Sequence, residues 1–174
     1  MIKRLHLIRH AKSDWNHPTL SDVERPLNAK GLLATKVMAR YILDAGCDFK
    51  NVYTSPAVRA CTTIENIASH LPGRSIDWHI DDRLYTFSAG DLLDWCHYLP
   101  DDLNDVTIVG HNPAITEFSN RMCGTDIVNV PTCAYIQMEY DGEWKDLNQN
   151  TAKRKNSSLR KWLETHKAKL NINR

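Results

Sequence analysis

The chain lacks any apolar run near the roughly 20 residues that a membrane-spanning helix needs. Met1-Ile2-Lys3-Arg4 is not followed by an apolar h-region, so no secretory signal is expected. C-x-x-C pairs are missing too. The five cysteines, at 47, 61, 96, 123 and 133, are odd in number and form neither a zinc knuckle nor a thioredoxin-type pair. They fit a reducing compartment, so the expected location is the cytoplasm, with no membrane partner. Cys61 and Cys96 fall on apolar helix faces and read as small core residues. There is no H-E-x-x-H, G-x-S-x-G, Walker A or G-x-G-x-x-G run. His17, His70, His79, His97 and His166 show no spacing suited to metal ligation, so neither a metal nor any other cofactor is expected. Internal repeats, long Gly/Ser/Pro linkers and low-complexity tracts are also absent.

What remains is 174 residues of ordinary apolar content, enough for one domain with a core. The net charge of +1 hides an asymmetry: residues 151–174 hold eight Lys/Arg and a single acid, Glu164, so the rest of the chain is net acidic. Residues 1–150 read as one domain and 151–174 as a basic tail or terminal helix. With Trp162 its sole aromatic, the tail is a poor nucleic-acid platform.

Strand and helix patterns alternate along the chain. Leu5–Ile8 reads as an apolar strand containing His6, expected to be a packed or hydrogen-bonded core histidine. Residues 29–45 form a helix with Leu33, Val37 and Tyr41 in one row and Ala34, Met38 and Ile42 in the next, ended by Gly46. A short strand at Asn51–Thr54 precedes Ser55-Pro56, which reads as N-cap and first helical position. The following helix has an apolar stripe of Ala57, Cys61, Ile64, Ala68 and Leu71, with Arg59 off that stripe. Residues 75–80 read as a weak strand, and Ser88 with Asp91 as a capping box. Val106–Val109 is the clearest buried strand, followed by His111 and a helix opened by Asn112-Pro113 and capped by Gly124. Ala134–Glu139 and Trp144–Leu147 flank Asp141-Gly142, a hairpin signal. The expected architecture is α/β: a single three-layer domain, a mostly parallel central sheet with helices on both faces, and an antiparallel C-terminal edge hairpin.

Ligands of open parallel sheets sit beyond the carboxyl ends of the strands. There the sequence places Arg9 and His10, then Ser55 and Arg59, then His111. A phosphoryl group fits this set. Arginine forks bind its oxygens in pairs, helix N-termini add donors, and a neutral imidazole can attack phosphorus. Each residue has a plainer reading as well: Arg59 as a solvated helix residue, His111 as a loop or capping residue.

Arg9-His10-Ala11-Lys12-Ser13-Asp14-Trp15-Asn16 resembles the first signature of the histidine phosphatase superfamily. Thr54-Ser55-Pro56-Ala57-Val58-Arg59-Ala60 with Thr62-Thr63 resembles its second, and Val109-Gly110-His111-Asn112-Pro113 its third. Asp22-Val23-Glu24-Arg25-Pro26-Leu27 with Gly31, and Arg83-Leu84-Tyr85, resemble the SixA-like phosphohistidine phosphatase branch. The resemblance implies that His10 is the nucleophile and that Arg9, Arg59 and His111 hold the phosphoryl group, with Ser13 and Asn16 lining the pocket. It implies a metal-independent phosphatase acting through a phosphohistidine intermediate on phosphohistidine or another phosphorylated protein or small molecule. The alternatives are a sugar- or metabolite-phosphate phosphatase or mutase, and a non-catalytic phosphate-binding module. Many relatives carry a Glu shortly after a Leu in the segment following the second motif, as general acid. Here that stretch reads Leu84-Tyr85-Thr86, leaving Asp82 as the nearby candidate or as part of a solvated turn.

Overall fold

Unbroken runs of buried residues set the central strands. In the computed structural model, which describes residues 1–158, β1 (Ile2–Arg9) is buried from Leu5 through Ile8, so both of its faces are covered. It pairs in parallel with β4 (Asp105–Gly110), which pairs with β2 (Val52–Thr54), which pairs with β3 (Trp78–Ile80). On the other side β1 runs antiparallel to β5 (Tyr135–Asp141), and β5 antiparallel to β6 (Ala152–Ser157). The order is β3-β2-β4-β1-β5-β6. The expected architecture is therefore present, with β1 and β4 innermost.

Two apolar layers cover the sheet. On one face Leu5, Leu7, Val106, Ile108, Ile136 and Met138 pack under α3 (Ala89–His97) and α4 (Ala114–Cys123). On the other Ile8, Val52, Val109 and Tyr135 pack under α1 (Ala29–Asp44) and α2 (Val58–Ser69). In α1 the Ala34–Met38–Ile42 row is the buried one, while Leu33 is 53% exposed. Gly46, at φ 110, turns the chain out of α1, as its position predicted. Ser88 caps α3 by accepting from Asp91 N, but the reciprocal half of a capping box is replaced: Ser88 N donates to Thr86 Oγ1. His6 is fully buried, with Nδ1 2.7 Å from the Tyr135 hydroxyl, as a core histidine should be. Cys96 is a core residue; Cys61 is only half-buried, its thiol donating to Ser55 O.

The C-terminal edge departs from the simple hairpin. Trp144–Leu147 is no strand: Trp144–Asp146 is a 3₁₀ turn, and Trp144 is 1% exposed, its indole N–H donating to Leu103 O at 2.7 Å. Burial of that large ring draws the segment off the sheet, and β5's edge is filled by β6 instead. β6 begins at Ala152, so the first residues of the 151–174 segment form the outer strand of the same sheet among the described residues. β6 carries Lys153, Arg154 and Lys155, charges that protect an edge strand from pairing with other chains. Residues 159–174, the rest of the expected basic tail, lie outside the described residues. No helix among the described residues is long and apolar enough to cross a membrane.

Candidate active site

Three adjacent strands deliver the site. β1 ends at Arg9, β4 at Gly110 and β2 at Thr54, and their carboxyl ends lie side by side because β1, β4 and β2 are parallel. His10 N donates to Gly110 O at 3.0 Å and Ser55 N to Val109 O at 3.0 Å, so the backbone bonds that continue the sheet also clamp the residues that follow it.

His10 is 8% exposed. Its Nδ1 lies 2.7 Å from Ala11 O, an acceptor, so Nδ1 carries the proton and Nε2 the lone pair. Burial pushes its pKa down to about 4, against the raising effect of the Ala11 bond and with help from Arg59, Arg9 and Arg25. The imidazole is therefore neutral at neutral pH. His111 is 2% exposed and its ring centroid is 5.2 Å from that of His10. Burial first, then His10 and Arg59, hold its pKa down to about 3. Its Nε2 lies 2.7 Å from Ser55 Oγ, and its Nδ1 lies 3.4 Å from Nη2 of Arg59. Since Arg59 only donates, Nδ1 is the acceptor and Nε2 donates to Ser55. Ser55 Oγ also accepts from Ala57 N at 3.2 Å. The hydroxyl expected to cap α2 reaches Ala57 N, ahead of the helix, and also orients His111, and α2 starts later, at Val58.

Arg59 is 1% exposed. The buried face of α2 is Arg59, Ala60, Thr63, Ile64 and Ile67, rotated from the apolar stripe, and that rotation turns the guanidinium inward. Thr63 on the same face ties the first and second motifs together: Ala11 N donates to its Oγ1 at 2.9 Å, and Oγ1 donates to Arg59 O at 2.6 Å. Arg9 Nη1 donates to Val130 O at 2.8 Å. The Nε groups of Arg9 and Arg59 are buried without a protein partner among the described residues, which leaves donors for an anion.

These side chains surround a cavity of about 390 Å³ whose wall includes Arg9, His10, Ser13, Asp22, Arg25 and Arg59, with Trp15 and Phe87 more exposed. Of the residues singled out from sequence, Arg9, His10, Ser13 and Arg59 line it; His111 stands behind His10 and Arg59. Asn16 is exposed and off the wall, its backbone N bonded to Asp14 Oδ1. Asp82 is exposed and lines a neighbouring cavity with Thr86, Asp91 and Trp95, away from His10.

Sequence reasoning did not single out Arg25 or Asp22 as site residues. Arg25 is 8% exposed, donates to Ser13 Oγ, and lies under the Trp15 ring with its guanidinium carbon 3.6 Å from the centroid. Asp22 accepts from Nη2 of Arg59 at 2.9 Å, from Nε of Arg25 at 3.1 Å and from the Tyr85 hydroxyl at 2.5 Å. Desolvation opposes ionisation, yet the bonds from Tyr85, Arg59 and Arg25 outweigh it and hold the carboxyl well below the usual range. The signal was present in the Asp22–Leu27 run, but a charged loop shows no periodicity that would point its residues inward. Gly31 has a steric reason: a Cβ there would stand 2.2 Å from Lys12 O, so α1 can approach the first motif only through a glycine.

A family model of the histidine phosphatase superfamily (branch 1) matches residues 5–98, more than half of the chain. An uncharacterised chloroplastic protein of Arabidopsis thaliana is 25% identical over 153 residues, covering 83% of this chain and 70% of its own length. A solved structure from Agrobacterium tumefaciens bearing the name phosphohistidine phosphatase SixA superposes with a TM-score of 0.73 at 22% identity, over 89% of this chain and 96% of that one. The structure of the protein histidine phosphatase SixA complexed with tungstate superposes with a TM-score of 0.71 at 19% identity, over 88% of this chain and 95% of that one.

Proposed function

The chain belongs to the histidine phosphatase superfamily, and from that premise we propose that it is a metal-independent phosphatase that passes a phosphoryl group to Nε2 of His10 and then to water, with phosphohistidine, on a protein or a small molecule, as its substrate. The observation that carries this reading is the 2.7 Å bond from His10 Nδ1 to Ala11 O, which commits one ring nitrogen to the backbone and leaves the other as a nucleophile on a cavity wall lined by Arg9, Arg25 and Arg59.

In this reading the guanidinium groups neutralise the phosphoryl oxygens and stabilise the charge that spreads over them during in-line transfer. The bond from phosphorus to the substrate nitrogen breaks as the bond to Nε2 forms, and the freed imidazole leaves with a proton from solvent. Water then attacks the phosphorus of phospho-His10, loses its proton to solvent, and releases inorganic phosphate and neutral His10. His111 starts neutral; an arriving dianion favours its protonated form, which adds positive charge behind His10 and Arg59 when the phosphoryl charge is greatest.

Three features support a P–N substrate. Such a bond breaks with less need for a proton donor than an alkyl ester, and the cavity wall offers one carboxylate, Asp22, already tied to arginines. The stretch between the second and third motifs is short, with little room for a cap that would select a large metabolite. The two structural neighbours bear the names phosphohistidine phosphatase SixA and protein histidine phosphatase SixA.

The test is hydrolysis of a histidine-phosphorylated protein and of p-nitrophenyl phosphate in EDTA, with trapping of an acid-labile phosphoenzyme. Activity in EDTA and a phosphoenzyme that disappears in His10→Ala are expected. Full activity of His10→Ala would eliminate the mechanism.

A further inference from the structure

The two arginines best placed to bind a phosphoryl group are already bound to a carboxylate. Nη2 of Arg59 donates to Asp22 Oδ2 at 2.9 Å and Nη1 to the Asp22 carbonyl at 2.5 Å. Arg25 approaches Oδ1 of the same side chain through Nε at 3.1 Å and Nη2 at 3.0 Å. A planar guanidinium grips a tetrahedral anion in a bidentate way through its two terminal nitrogens, or through Nε and one of them. The Asp22 carboxylate and His111 Nδ1 take the two N–H groups of Nη2 and the Asp22 carbonyl holds Nη1, so a grip through Nε and Nη2 requires the carboxylate to give way. A phosphoryl dianion beside a carboxylate on the same guanidinium is also a like-charge contact, which disfavours keeping both.

We propose that Asp22 is a resident anion that holds the place of the phosphoryl group, keeping Arg59 and Arg25 paired while the site is empty and yielding them by exchange when the phosphoryl group binds. An empty site with three buried or half-buried arginines and no counter-charge would carry a large desolvation and repulsion cost; Asp22 offsets it. The carboxylate has somewhere to go, because its side chain is 44% exposed. It sits on the Asp22–Glu24 turn, closed by the Ser21–Glu24 capping box, so a side-chain rotation frees Nη2 of Arg59 and both contacting nitrogens of Arg25 without unfolding the loop, while Nη1 of Arg59 stays on the Asp22 carbonyl. Loop ends are also anchored, by the Ser13–Leu27 bridge and by Asp14 N on Pro26 O at 2.8 Å. The Tyr85 hydroxyl, donating to Oδ2, is the latch on the empty arrangement.

This inference rests on the reading that the cavity takes a phosphoryl group, but not on His10 becoming phosphorylated. The test is therefore binding without turnover: calorimetric titration of the full chain with inorganic phosphate. Asp22→Asn, which removes the competing charge, is expected to bind phosphate at least about ten-fold more tightly than the parent chain. Tyr85→Phe is expected to tighten binding by a smaller factor. A residue that merely positions the arginines would weaken binding when changed, so unchanged or weaker binding by Asp22→Asn overturns the proposal. Should that variant fail to melt cooperatively, Tyr85→Phe decides in the same way. Absence of phosphate binding to the parent chain would overturn the functional reading as well, whereas parent binding with no tightening in the variants overturns this inference alone.

Discussion

Nε2 of His111 and Oγ of Ser55 are 2.7 Å apart, joining the end of β4 to the end of β2 by a bond between two buried side chains. With Nδ1 turned to Arg59, the bond fixes which nitrogen of His111 carries the proton. Ser55→Ala removes that control while leaving Arg9, His10 and Arg59 in place. The expected result is a fall in kcat of about ten-fold or more with a small change in KM, since orientation of a transfer group matters most as charge develops. Steady-state kinetics on p-nitrophenyl phosphate checks it, and Ser55→Thr, which keeps the hydroxyl, should recover part of the loss.

Gly31→Ala tests the close approach of α1 to the first motif. A methyl group 2.2 Å from Lys12 O cannot be accommodated by a side-chain movement, because the obstacle is backbone. Overpacking of this kind costs about 1–3 kcal/mol. A lowered urea midpoint is expected with an unchanged slope, together with reduced activity, since Lys12 lies two residues beyond His10 on the cavity wall.

Acid sensitivity follows from His10. Its folded pKa of about 4 lies below the unfolded value of 6.5, so between those values the unfolded chain binds more protons than the folded one. Stability contributed by neutral, buried His10 is complete above pH 6.5 and is lost progressively as the pH falls toward 4. Urea midpoints should therefore drop from pH 7 to pH 5, and drop less in His10→Gln. In proton NMR, the His10 ring signals should stay constant from pH 8 to pH 6; titration near 6.5 would refute the burial argument.

Local pattern made much of the fold legible. Val106–Val109 could only be a buried strand, Gly124 took the left-handed position that ends α4, and the alternation of strands and helices implied a parallel sheet whose strand exits share one rim. Arg9, His10, Arg59 and His111 could be named because each follows a strand end in the chain. Other readings failed where a residue's partner is distant. Ser55 looked like a helix cap because sequence shows the helix after it but not His111, 56 residues on. Trp144–Leu147 looked like a returning strand because sequence does not show the pocket that takes the Trp144 ring. Basic residues at 153–155 looked like a solvated tail, although an edge strand tolerates the same charges.

The sequence by itself determined the layers, the strand exits and the Arg and His residues placed there, because hydrophobic period and glycine placement act over a few residues. Only the tertiary structure decided that Asp22 and Arg25 turn inward, that Asp82 and Asn16 do not, and that α2 buries Arg59 alongside Ile64 and Ile67. Those outcomes depend on which charges are brought out of water together, and that is set by packing between segments far apart in the chain.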